Sequence, residues 1–205
     1  DCPMADENGS TIAAGNWPVP RPSEAPDDPP KLASKRGVRI AWEPHPGFCV
    51  YNAQTLIQLS ERAQRAAGIK GKPILGANLD PSHLFWQGCD PVLAARALGE
   101  AGLLFHVHAK DTELDRHEGP LNGYLDTRPY SDVQHRAWNF RTCGWGHGDE
   151  FWRPFVSTLR RYGYDHVLSI EHEDMLMSID EGFERAVAFL LECIVEEKPA
   201  TPWWT

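Results

Sequence analysis

Four short apolar runs, each closing on an acid or a histidine, constrain this chain more than any other feature. They are V-R-I-A-W-E (Val38 to Glu43), I-L-G-A-N-L-D (Ile74 to Asp80), L-L-F-H-V-H (Leu103 to His108) and V-L-S-I-E (Val167 to Glu171). The apolar spacing between them predicts helices. One is capped by Asn52 and stopped by Gly68, and one is opened by Asp90-Pro91 and runs through Leu98 to Gly102. The others run from about Glu150 to Tyr162 and from about Ile179 to Glu196. Strands alternating with helices of this length imply right-handed β-α-β crossovers and a parallel sheet buried on both faces, so the expected fold class is α/β. The stretch from Ala109 to Gly148 lacks such a period and reads as a long irregular loop.

In parallel α/β folds the carboxyl edge of the sheet is where ligands bind. Glu43, Asp80, His108 and Glu171 close the four strands at that edge. A polar strand end can arise simply because it meets solvent, but a solvated edge need not repeat acid and histidine at every strand. Three carboxylates and an imidazole brought together repel unless a cation joins them. An oxygen-rich set of this kind favours Mn²⁺, with Mg²⁺, Co²⁺ or Zn²⁺ as the other divalent candidates. His106, two residues before His108, shares its face one layer deeper and reads as a buried, hydrogen-bonded histidine rather than a second ligand. His45, Lys110 and Asp111 lie just past strand ends and are candidate contacts to substrate, or a backbone cap and a loop salt bridge. Arg141 and G-W-G-H-G at Gly144 to Gly148 are candidates for a lid or a phosphate seat. Phe48, Tyr51, Phe85 and Trp86 flank the ligand motifs, where flat rings can stack on sugars, with Phe85 read as packing. Glu173 and Asp174 read as solvated loop acids.

Charge removes two classes of partner. Twenty Lys and Arg against 29 Asp and Glu give a net charge of −9, which lacks the basic footprint of a nucleic-acid or membrane-surface binder. No apolar run is long enough to span a bilayer, so the expectation is a soluble, cytoplasmic protein. Five cysteines without a C-x-x-C pair suggest reduced thiols. Seven of the 17 prolines fall within the first 30 residues. Residues 1–35 are therefore read as a Pro-rich linker, 36–197 as the metal-binding domain and 198–205 as an irregular tail.

E-P-H-P-G, N-L-D-P-S-H, H-V-H-A-K-D and L-S-I-E-H-E-D, in this order, resemble the sugar phosphate isomerase/epimerase family of xylose isomerase-like TIM (β/α)8 barrels, over residues 36 to about 196. The resemblance implies that Glu43, Asp80, His108 and Glu171 are the metal ligands and that His83 of D-P-S-H binds substrate. D-C-P-M-A-D-E-N-G-S-T-I resembles the loop after the preceding barrel strand. A full barrel has eight β-α units in about 250 residues, and about four are read here. The expectation is a truncated, C-terminal half barrel, completed in a homo-oligomer or by a complementing half.

The implied activity is a divalent-metal-dependent sugar or sugar phosphate isomerase/epimerase. Glu43 and Glu171 exchange a proton next to a metal-bound carbonyl, and His83, His45, Lys110, Arg141 and Trp86 contact the carbohydrate. Three alternatives accompany it: elimination from a 3-keto-glycoside on the same site, an endonuclease IV-like metal phosphoesterase, and a barrel fragment without catalysis.

Overall fold

In the computed structural model residues 29–197 and 204 are described. The elements, in chain order, are α1 (Pro29–Arg36), β1 (Ile40–Trp42), α2 (Ala53–Ala67), β2 (Leu75–Leu79), α3 (Ser82–Phe85), α4 (Pro91–Glu100), β3 (Leu104–Ala109), β4 (Asp111–Leu114), α5 (Glu118–Asn122), β5 (Trp138–Arg141), α6 (Asp149–Arg161), β6 (Leu168–Ile170) and α7 (Ile179–Cys193). β1, β2, β3 and β6 pair in that order as a parallel sheet, and β4 and β5 form an antiparallel ribbon.

Local chemistry sets the helix ends. Asn52 Oδ1 accepts from the Thr55 amide at 2.9 Å while Thr55 Oγ1 accepts from the Asn52 amide at 3.1 Å, a reciprocal capping box that opens α2. Gly68 closes α2 at φ 66°, a left-handed conformation that suits glycine. Asp90 Oδ1 takes the amides of Val92 and Leu93 at 2.8 and 3.2 Å, and Pro91 occupies a first-turn position where no amide is missed.

The helices supply one core. Leu56 of α2, Ala95 and Leu98 of α4, Trp152, Phe155 and Leu159 of α6, and Ala186 and Leu190 of α7 are buried with Leu75, Ala77 and Leu79 of β2 and Val107 and Ala109 of β3. Leu168 and Ile170 of β6 pack against the same core, and since side chains alternate along a strand, Asn78, His106, His108 and Ser169 turn to the opposite face of the sheet. Register shifts between Ala77 and Asn78: Ala77 pairs with Leu104, but Asn78 pairs with His106. Phe105 is the extra residue, a bulge in β3.

The structure changes several expectations. The end of the expected linker, Pro29 to Lys35, belongs to α1, which starts on two prolines because a first helical turn tolerates missing amides; residues 1–28 lie outside the described residues, as does the expected tail apart from Trp204. The expected irregular loop from Ala109 to Gly148 holds β4, α5 and β5. Cys49 is disulfide-bonded, so a fully reduced set of thiols does not hold, while Cys89, Cys143 and Cys193 are free. Among the described residues no helix is long and apolar enough to cross a membrane.

Candidate metal centre

The strand registers bring the predicted ligands together. Glu43 follows β1, Asp80 follows β2 and His108 lies in β3. One ligand atom from each falls within 4.8 Å of the others, a candidate three-residue metal site. His108 Nδ1 faces Glu43 Oε2 and Glu171 Oε1, each at 3.4 Å, and Asp80 Oδ2 at 3.8 Å. Glu171, which follows β6, thus joins through His108 and also accepts from Lys110 Nζ at 3.1 Å. His83, carried on α3, sets Nε2 3.2 Å from Glu43 Oε1 and 3.5 Å from Asp80 Oδ2.

Asp80 is the deepest member at 2% exposure. Its Oδ1 caps the start of α3 by accepting from the Ser82 amide at 2.8 Å, whereas Oδ2 is buried without a hydrogen-bond partner. A buried carboxylate oxygen left bare costs free energy, and a cation among these donors would satisfy it. The residues therefore fit a divalent ion. Burial alone would raise the Asp80 carboxyl, but His108, His83, Lys110 and Ser82 outweigh it and hold the group below the usual carboxylate range. Burial disfavours charge on His108 too, yet Asp80, Glu171 and Glu43 lift its affinity for a proton above that of an ordinary histidine. A proton on His108 stands where a cation would.

Lys110 is buried at 3% exposure, with Nζ 2.5 Å from Glu173 Oε2, 4.0 Å from Asp80 Oδ2 and 4.1 Å from the Phe140 ring centroid. Burial opposes its charge, and the carboxylates of Asp80, Glu173 and Glu171 prevail, so the ammonium is held above its ordinary range. Glu173 is an exposed loop acid as expected, and it also pairs with this lysine. His45 sits beside the cluster, its ring centroid 4.2 Å from that of His83, and its Nδ1 lies 2.7 Å from the Pro46 carbonyl oxygen, which matches the backbone-capping alternative.

One expected substrate contact, Arg141, is committed elsewhere. Arg141 is ion-paired to Glu113 across the β4–β5 ribbon, and its Nε donates to Asp174 Oδ2 at 3.1 Å, so it braces the ribbon instead of facing the cluster. Trp86 lies flat on Trp138, centroids 4.6 Å apart and planes 3° apart. Asp174, read as solvated, is buried at 5% and also accepts from the Thr142 amide at 2.9 Å.

Burial would raise Asp174, but the Thr142 and Leu176 amides and Arg141 hold it low. A lowered carboxyl contributes stability above its unfolded value of about 3.8, and that contribution is lost as pH falls through the folded value. Urea titrations below about pH 4 are accordingly expected to show a steeper loss of stability in the native chain than in Asp174→Asn.

Asn78 went unnoticed as a site residue. It stands two positions before Asp80 on the same face, and its Nδ2 donates to Glu43 Oε2 at 3.0 Å and lies 3.1 Å from His108 Nε2. The period-2 rule that placed His106 would have found it. His106 is hydrogen-bonding distance from Ser169 Oγ, 2.8 Å, as a non-ligand.

Residues 30–193 match the xylose isomerase-like TIM barrel family. The chain belongs to that family. An uncharacterized protein of Bacillus subtilis (strain 168), YfiH, is 40% identical over 165 residues, covering 80% of this chain and 50% of YfiH. The crystal structure of a xylose isomerase domain protein from Planctomyces limnophilus superposes with a TM-score of 0.54 at 22% identity, over 85% of this chain and 54% of that one. The chain spans about half the length of these relatives, and its four parallel strands are part of a xylose isomerase-like barrel.

Proposed function

We propose that this chain carries the metal site of a sugar or sugar phosphate isomerase/epimerase that moves a proton at the carbon next to a carbonyl. The observation that supports it most is the buried, unpartnered Asp80 Oδ2 facing His108, between two further carboxylates on neighbouring strands. Glu43, Asp80, His108 and Glu171 would hold the ion, and the oxygen-rich set suits Mn²⁺. When bound, such an ion supplies Lewis-acid stabilisation of charge developing on a substrate oxygen.

The remaining chemistry belongs to the side chains. Glu43 and Glu171 flank His108 from strands on either side of the sheet, so each can exchange a proton with a different face of one carbon. His83 keeps Glu43 oriented through Oε1, and Asn78 does so through Oε2. Lys110 does the same for Glu171 and offers its charge to a substrate oxygen. The edges of β1 and β6 are unpaired among the described residues; in this reading a second copy or a complementing half supplies the remaining barrel strands, and native mass spectrometry on the whole assembly tests that.

Proton transfer at carbon leaves a signature that does not depend on knowing the product. A panel of aldoses, ketoses and their phosphates incubated in D₂O with Mn²⁺ is expected to include a substrate that gains deuterium next to its carbonyl, seen by NMR. Glu43→Gln and Glu171→Gln are each expected to slow that exchange about 100-fold or more. Full exchange in both variants would remove the two-base assignment.

A further inference from the structure

We infer that the metal cluster continues into an aromatic pocket that receives a flat apolar ring carried by the substrate. The inference rests on the sugar reading proposed above and names its substrate class: a carbohydrate bearing an aromatic substituent, with the sugar on the cluster and the ring in the pocket.

The pocket has a volume of about 380 Å³, and its walls include Phe48, Tyr51, Trp86, Gln87, Tyr124 and Leu125. These come from three segments: the loop after β1, the end of α3, and the chain after α5. His45 is the step between pocket and cluster, its ring 4.2 Å from His83 on one side and 5.3 Å from Phe48 on the other. Gln87 Nε2 ties the same parts together by donating to His83 O at 2.9 Å and to Tyr51 O at 3.1 Å. The pocket therefore opens within about one ring's breadth of the residue that touches Glu43 and Asp80.

The chemistry of the walls selects the occupant. The Gln87 amide N–H groups are spent on backbone carbonyls, and the Trp86 indole Nε1 is shielded from solvent. Most of what remains is ring faces and the side chain of Leu125, with the Tyr51 and Tyr124 hydroxyls and Gln87 Oε1 as the side-chain polar atoms. A second sugar ring would exchange many water contacts for few polar partners, which costs free energy, whereas an aromatic ring has little to lose. Trp86 is fixed flat by Trp138, so that wall is ordered before any ligand arrives. Phe48 is 65% exposed and Leu125 is 92% exposed, so covering them removes apolar surface from water.

The test titrates the methyl and phenyl β-glycosides of glucose, galactose and xylose, and phenol itself, into the full chain with Mn²⁺, read by calorimetry and ligand-observed NMR. For a sugar that binds, the phenyl glycoside is expected to bind about tenfold more tightly than the methyl glycoside, the scale of one aromatic contact. That advantage should vanish in Phe48→Ala and in Leu125→Asp, both at exposed positions, with methyl glycoside affinity unchanged. Equal affinity for the two glycosides, or an advantage that survives both substitutions, overturns the aromatic subsite and leaves the sugar reading intact. Phenol bound as tightly as its glycoside, with no methyl glycoside bound, overturns the sugar reading and the substrate class with it.

Discussion

Asp80→Asn is expected to weaken Mn²⁺ binding at least about 100-fold, while the metal-free protein still folds and melts at a somewhat lower temperature. The two effects separate because the two carboxylate oxygens have different tasks. Oδ1 accepts from the Ser82 amide, and an asparagine oxygen can keep that bond. Oδ2 is buried and bare among Glu43, His83 and His108, and there the charge is lost. A metal ligand contributes more than the groups that only orient ligands, whose removal typically costs about 10- to 100-fold in affinity. In the metal-free protein a neutral amide relieves the burial of a charge but forfeits the larger stabilisation from His108, His83 and Lys110. Calorimetric titration with Mn²⁺ and a melting curve, run on the same preparation, measure both. Undiminished Mn²⁺ affinity would take Asp80 out of the ligand set.

Asp111→Ala should be the most damaging single change outside the cluster, costing about 3–5 kcal/mol and lowering the melting temperature by roughly 10 °C in a domain of this size. Asp111 is fully buried, and its carboxylate is the hub of the G-W-G-H-G turn. Oδ2 accepts from the amides of Gly144, Gly146 and His147 at 3.1, 3.2 and 2.8 Å and from Trp152 Nε1 at 3.3 Å. Oδ1 accepts from the Thr112 amide at 2.8 Å and lies 2.9 Å from His147 Nδ1. Removing the carboxylate recovers its desolvation but leaves these donors without their acceptor in a closed space, and the second effect is larger. Gly146 has no room for a side chain there, since a Cβ would meet Thr112 O at 2.6 Å and Asp111 Oδ1 at 2.7 Å. Circular dichroism melts of Asp111→Ala and Asp111→Asn check this, and a melting point within 2 °C of the native value in both would show that the turn is held by other contacts.

The sheet and its helices were legible because both signals are local. Apolar runs of strand length, an Asn and an Asp at helix starts and a Gly at a helix end each leave a mark within a few residues. The cluster was legible for the same reason, since the last residue of each parallel strand must arrive at one edge. The β4–β5 ribbon was hidden by its burial pattern. Asp111 and Thr112 are fully buried although polar, because the ribbon holds the turn and α3 by hydrogen bonds, with Thr112 Oγ1 donating to Ser82 O at 2.8 Å. Alternation was present in Trp138, Asn139, Phe140 and Arg141, buried and half-buried by turns, but its partner strand looked like a loop. Arg141 and Asp174 are 33 positions apart, and no spacing rule pairs two charges that meet only after the strands are ordered. Phe48 and Leu125 share a pocket for reasons equally remote in sequence.

The bulge at Phe105 makes the cluster depend on the length of β3 as well as on its residues. Leu104 packs with the helices and Val107 does so again three positions later, with Phe105 and His106 between them. A regular strand would return to the helix side after two positions. A bulge-free strand through the same residues would pair Phe105 with Asn78 and turn both imidazoles toward the helices, taking His108 from Glu43 and Glu171 without altering any ligand. In a reading frame of side chains, the histidines hold their place by count.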